Sequence, residues 1–165
     1  MSQLSVAIAN EFLKQPGALG SVTQMQIQKL VYIAHGWSLA LTGEPLVSDP
    51  VKAWDYGPVF PYLYDHTKFN GREPMKRLIH PSDDNPFIFF GEEEDTPYQC
   101  ELNENQSRII ELVWSRYGKL GAYKLSDLTH KVGTPWHQVF YKLGKGGSIS
   151  NEIIADHYKR LANAA

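Results

Sequence analysis

The sequence lacks most of what secreted, disulfide-bonded and membrane-spanning proteins contain. Its 165 residues include one cysteine, Cys100, which excludes an internal disulfide and a zinc site made of cysteines. No apolar run approaches the roughly 20 residues that span a bilayer. The first residues carry neither the basic nor the apolar part of a secretory signal. We therefore expect a cytoplasmic protein with no membrane segment.

Catalytic signatures are also scarce. The six histidines are scattered, and no two have a metal-ligand spacing such as H-E-x-x-H. Cys100 lies between Gln99 and Glu101, and acidic surroundings do not activate a thiol. The glycine-rich stretch 143–148 lacks the spacing of a phosphate-binding loop and is typical of a turn. We predict no catalytic residue, metal or cofactor, and hence no enzyme; a small enzyme with an unrecognised site is the third alternative.

Charge is distributed unevenly along the chain. The formal net charge is −2; residues 1–102 have 7 basic and 13 acidic residues (−6), and residues 103–165 have 9 and 5 (+4). The negative total disfavours nucleic acid as a general partner. A nucleic-acid-associated phage or prophage regulator that uses the basic half, with Lys119, Lys124 and Lys131 as phosphate contacts, is the alternative function. Whether the acidic segment 83–101 contacts a partner is left open.

Apolar spacing predicts a mainly α fold: a compact bundle of about seven helices with a small β element in the middle of the chain. We expect residues 1–165 to form a single domain. The clearest helix follows Thr23, which forms a capping box with Gln26, and it is apolar on both sides and therefore central. Gly36 in its middle indicates that another segment passes close by. The other predicted helices begin near Ser2, Pro58, Asn103, Ala122, Thr134 and Ser150, and the predicted strands cover residues 51–56 and 86–91.

Three clusters of polar and aromatic residues are the candidate functional positions. On the central helix, one face carries Lys29, Tyr32 and His35, because these residues are three apart. Such a face contacts either a partner or a buried hydrogen-bonded network, and both readings are open. The second cluster is a turn with aromatic residues, and the third is a corner between two helices. The predicted partner-binding residues are Lys29, Tyr32, His35, Trp54, Tyr56, Pro58, His130 and Trp136.

Taken together and in order, the three clusters resemble the signature stretches of the Panacea domain family. The stretches are TQMQIQKLVYIAHGW at 23–37, AWDYGPV at 53–59, and LSDLTH at 125–130 followed by PW at 135–136. The resemblance extends over nearly the whole chain, from about Leu4 to Leu161. The family contains SocA-like antitoxins and the phage-associated GepA proteins.

The resemblance implies a protein-binding function. Members neutralise a partner toxin in bacterial or prophage toxin–antitoxin systems, and the SocA-type member acts as a proteolytic adaptor that delivers its toxin to a ClpXP-type protease. It therefore implies a cognate toxin as partner, and a protease of that type as a second one. The identity of the toxin, the choice between sequestration and delivery, and a homo-oligomeric state are left open.

Overall fold

The computed structural model describes residues 1–84 and 95–164, and within them the predicted fold class is confirmed. The described residues form seven α-helices and one small antiparallel sheet of two strands. The helices are α1 (Ser5–Leu13), α2 (Gln24–Thr42), α3 (Pro61–Thr67), α4 (Glu104–Tyr117), α5 (Ala122–His130), α6 (Pro135–Leu143) and α7 (Asn151–Ala164). The strands are β1 (Lys52–Trp54) and β2 (Gly57–Val59), and short 3₁₀ turns cover Lys68–Asn70 and Pro81–Asp83. The strand predicted over 86–91 lies outside the described residues.

Helix α2 is the centre of the fold, as its sequence predicted. Thr23 accepts from the Gln26 backbone and Gln26 accepts from the Thr23 backbone, which completes the capping box. The helix ends at Gly43, whose φ of 76° is the left-handed conformation that closes many helices. Between these ends, α2 packs against α1, α4, α5 and α7, and residues 27–36 are all buried. None of the described helices is long and apolar enough to cross a membrane.

Side-chain caps also set the starts of the later helices. Asn103 and Gln106 form a second capping box at α4. Thr134 accepts from the backbone of His137 at α6, and the Ser150 hydroxyl accepts from Ile153 at α7. These starts match the predicted ones because a cap is decided within three residues of sequence.

The first helix begins two residues later than predicted. Ser2 was expected to cap it, with Leu4 on its apolar stripe. Instead, Leu4 is the N-cap residue without a side-chain cap, and Ser5 is the first helical residue. Both the backbone N–H and the hydroxyl of Ser5 donate to the Asp49 carboxylate at 2.6 Å. A carboxylate 44 residues away therefore satisfies the free donors of this helix end.

The chain around Pro58 differs from the sequence prediction. A strand was expected to lead directly into a helix with Pro58 in its first turn, but the chain folds back and Pro58 lies in β2 opposite Ala53. The third helix begins at Pro61, which takes the first helical position. On the side of β1 away from β2, the Ala53 N–H donates to the Gly147 carbonyl, and the Ala53 carbonyl accepts from the Gly146 N–H. The N–H that proline lacks is therefore not needed at this position of the pair.

Candidate functional site

The three sequence clusters meet at the hairpin formed by Lys52–Val59. Three of its backbone carbonyls, on alternate residues, each accept a hydrogen bond from the side chain of a different helix. The pairs are Trp136 Nε1 of α6 with the Trp54 carbonyl at 2.6 Å, Ser126 Oγ of α5 with the Tyr56 carbonyl at 2.6 Å, and Lys29 Nζ of α2 with the Pro58 carbonyl at 2.9 Å. An isolated two-stranded hairpin is marginally stable. Here these three bonds hold its backbone against the helices.

Lys29 makes this connection from inside the protein. Its side chain is 1% exposed, and its amine lies beneath Gly57 near the Thr129 hydroxyl. Among the described residues, no carboxylate forms a salt bridge with it. Burial alone lowers the pKa of Lys29 to about 7, because a charged amine is poorly solvated there. The residue therefore supports the hairpin from below rather than presenting a charge to solvent.

Tyr32 and His35 continue the same buried row along α2. The Tyr32 ring packs edge-on against Tyr158 at 6.2 Å, and its hydroxyl has no hydrogen-bond partner among the described residues. His35 Nδ1 accepts the backbone N–H of Val47 at 3.1 Å, so Nε2 carries the proton and donates to Asn151 Oδ1 at 2.9 Å. Burial, the largest effect, lowers the pKa of His35 and keeps this neutral form. The row is buried, and its predicted contact with a partner stays a prediction.

The corner between α5 and α6 holds the hairpin from the side. His130 closes α5 and lies edge-on to the Trp136 ring at 5.3 Å. Trp136 is buried and stacks on Phe140 at 4.6 Å, so its indole N–H is fixed in the direction of the hairpin. Ser126, one turn before His130 on α5, donates its hydroxyl to the Tyr56 carbonyl. Of the predicted residues, Trp136 therefore anchors the hairpin directly, and the half-buried His130 packs against Trp136. Pro58 is buried.

Tyr56 is the predicted site residue that reaches the surface most fully. Its side chain is 71% exposed, although its own carbonyl is held by Ser126. The two residues before it fix the hairpin by further contacts: Trp54 lies edge-on to Tyr64 at 5.0 Å, and Asp55 pairs with Lys145 at 2.8 Å. The turn thus presents an aromatic side chain on a backbone that is held in place.

Sequence reasoning missed the exposed apolar residues that flank this turn on α6 and at the α5–α6 corner. Tyr141 is 72% exposed and Val132 is 85% exposed. The Tyr141 ring lies 6.4 Å from Trp136, whose indole contacts the hairpin, so the two surfaces adjoin. The available signal was that Tyr141 is apolar but falls off the helical stripe of Trp136, Val139 and Phe140. Sequence reasoning likewise did not single out Ser126 as a site residue.

Replacing Gly57 by valine should lower the free energy of unfolding by about 1–3 kcal/mol. Gly57 has a φ of 115°, and an added Cβ would lie 3.0 Å from Lys29 Nζ and 3.3 Å from Thr129 Oγ1. The control is Gly71→Val, because Gly71 also has a positive φ but nothing lies within 4 Å of its added Cβ. Urea denaturation of both variants would measure the difference. Equal losses would show that packing against Lys29 adds nothing.

Comparisons with known proteins point to one family. The model of the antitoxin SocA-like Panacea domain matches residues 27–137, which include Lys29, the whole hairpin and the α5–α6 corner. Antitoxin SocA of Caulobacter vibrioides (strain NA1000 / CB15N) is 30% identical over 160 residues, covering 93% of this chain and 81% of that protein. No solved structure matches.

Proposed function

Because the chain belongs to the SocA-like antitoxin family with a Panacea domain, we propose that it neutralises a cognate toxin by binding it through the turn of the Lys52–Val59 hairpin. We propose that residues 1–165 act as a single domain. The observation that carries it is the exposed Tyr56 side chain on a backbone held at three carbonyls by three helices. Because the backbone is already held, little backbone entropy is lost on binding, and exposed aromatic side chains often dominate protein interfaces.

The chemistry of the remaining reactive groups also favours binding over catalysis. The pKa of the Cys100 thiol is raised to about 11, first by burial and then by Glu11, so little thiolate is present at neutral pH. The Lys29 amine is buried beneath the hairpin and donates to the Pro58 carbonyl. Neither group is placed to attack a substrate from solvent.

The test uses the product of the gene adjacent to the one that encodes this chain. Co-expression of the wild-type chain should restore growth that this product arrests, and the two proteins should co-purify. Tyr56→Ala should melt within a few degrees of wild type, because the ring is exposed, but bind the toxin at least about ten-fold more weakly. The matched control is Phe69→Ala in the 3₁₀ turn after α3, which removes an aromatic ring of similar exposure, 68%. It should bind like wild type.

Two results would overturn parts of this proposal. If the wild-type chain neither binds the neighbouring product nor rescues growth, the antitoxin function is wrong. If Tyr56→Ala binds like wild type, the function stands but the hairpin turn is not the contact.

For the mode of neutralisation, we propose delivery of the toxin to a ClpXP-type protease, the mode that the sequence resemblance implies. The toxin should then disappear faster after translation is blocked in cells that contain the chain than in cells that lack it. A toxin that is equally long-lived, or longer-lived, in the presence of the chain would indicate sequestration instead.

A further inference from the structure

The segment of the chain that packs against the hairpin from α5 and α6 is basic. Residues 119–146, which form α5, α6 and their connections, contain five lysines and one aspartate, a formal charge of +4. All five lysines are exposed: Lys119, Lys124, Lys131, Lys142 and Lys145. Among the described residues, only one of the five forms a salt bridge, Lys145 with Asp55. The other four have no carboxylate of the described chain bonded to them.

Large apolar side chains are interspersed with these lysines. Val132 follows Lys131 at the α5–α6 corner, and Lys142 lies between Tyr141 and Leu143, which are 72% and 71% exposed. Singly exposed apolar residues are ordinary, but several in one place mark an interaction surface. Trp136 joins this region to the hairpin, since it contacts the Trp54 carbonyl, the His130 ring and the Tyr141 ring. We call the exposed residues Tyr56, Lys131, Val132, Tyr141, Lys142 and Leu143 the corner surface.

We propose that the corner surface binds an acidic segment of the toxin that carries aromatic or aliphatic side chains among its carboxylates. This deepens the proposed function and rests on it. Lysines that lack a partner in the chain provide the charge complementarity, which sets specificity and association rate, while the apolar side chains provide burial. The occupant is therefore defined by both features at once: negative charge and apolar anchors.

The same surface is less suited to nucleic acid. Of its four apolar side chains, only Tyr56 and Tyr141 offer a ring on which a base can stack, and Val132 and Leu143 are aliphatic. The rest of the chain brings the formal net charge to −2, which opposes approach to a polyanion.

The experiment measures the affinity of the adjacent gene's product for the chain at about 0.05 M and 0.3 M salt. In the double variant Lys131→Glu/Lys142→Glu, affinity at low salt should fall at least about ten-fold, and its dependence on salt should shrink or reverse. The matched control is Lys76→Glu/Lys159→Glu, which makes the same change of charge at two exposed lysines elsewhere. Lys76 lies in the loop between the two 3₁₀ turns, and Lys159 lies on α7. It should bind nearly as wild type does. All four lysines are exposed, so both double variants should melt near wild type.

The apolar part of the proposal has its own measurement. Tyr141→Ser should weaken binding at both salt concentrations equally, because it removes buried area and no charge. Unchanged affinity in both the Lys131/Lys142 variant and Tyr141→Ser, with a wild-type chain that binds, would overturn this inference and leave the antitoxin function standing. If the wild-type chain does not bind the product at all, both this inference and the antitoxin function are wrong.

Nucleic acid is tested in the same series with a 20-nucleotide oligothymidylate. We expect no tight binding at about 0.15 M salt. Sub-micromolar binding that the Lys131→Glu/Lys142→Glu variant abolishes would replace the acidic segment by a nucleic acid as the occupant of the corner surface.

Discussion

Replacing Gly36 by valine should lower the free energy of unfolding by about 3–5 kcal/mol, the cost of expelling a large aromatic ring from a core. An added Cβ at Gly36 would lie 2.2 Å from Cε2 of Tyr158, far inside van der Waals contact. The Tyr158 ring is not free to move aside, since it is buried and lies edge-on to both Tyr32 and Trp37. The ring must therefore leave, or α7 must separate from α2.

A double-mutant cycle tests this cause directly. Tyr158→Ala alone should also be costly, because it leaves a cavity between α2 and α7. The combination with Gly36→Val should cost clearly less than the sum of the two single losses, because the valine occupies space that the ring no longer fills. Urea denaturation gives all three values. Additive losses would mean that the two residues do not compete for one space, and the close contact of α2 with α7 would be wrong.

Gly36 also shows what the sequence could provide. A glycine in the middle of an apolar helix costs stability, so its presence indicated that another segment passes close by. The structure identifies that segment as α7, 122 residues further along the chain at Tyr158. The existence of the contact was predictable from local rules, but its partner was not, because helical spacing does not say which faces meet.

The error at Pro58 has a similar origin. Pro58 and Pro61 both suit the first turn of a helix, so local sequence does not choose between them. The choice depends on distant groups: Lys29 donates to the Pro58 carbonyl, and Gly146 and Gly147 pair with the outer edge of β1. These contacts stabilise the hairpin, and the helix starts at the second proline.

For the candidate site, residue types were easier to predict than their exposure. The sequence placed Lys29, Tyr32 and His35 on one face and left open whether that face meets a partner or a buried network. Their burial follows from the position of the hairpin, of α7 and of Val47, none of which α2 itself encodes. Tyr141 is exposed because it lies off the buried stripe of α6, and Val132 is exposed in the connection between α5 and α6.

The buried amine of Lys29 should make the stability of the protein increase with pH above neutrality. Its pKa is about 7 in the folded chain and near 10.5 when solvated. Between these pH values the unfolded chain holds one more proton than the folded chain, so the free energy of unfolding rises with pH. The slope is at most about 1.4 kcal/mol per pH unit, or about 4 kcal/mol from pH 7 to pH 10. Above that range the trend should reverse, because burial raises the pKa of Tyr32 and Tyr158 and ionisation favours the unfolded chain.

The variant Lys29→Met isolates this contribution, because methionine keeps much of the apolar side chain and cannot titrate. It loses the bond to the Pro58 carbonyl, which adds a constant offset of about 1–3 kcal/mol. The difference in free energy of unfolding between wild type and variant should change by about 4 kcal/mol between pH 7 and pH 10 in favour of wild type. Lys76→Met removes an exposed amine and measures the effect of losing any lysine. A Lys29→Met difference that stays flat across this range, like that of Lys76→Met, would mean that the Lys29 amine is solvated in the folded chain. The inference that a buried Lys29 amine supports the hairpin would then be wrong.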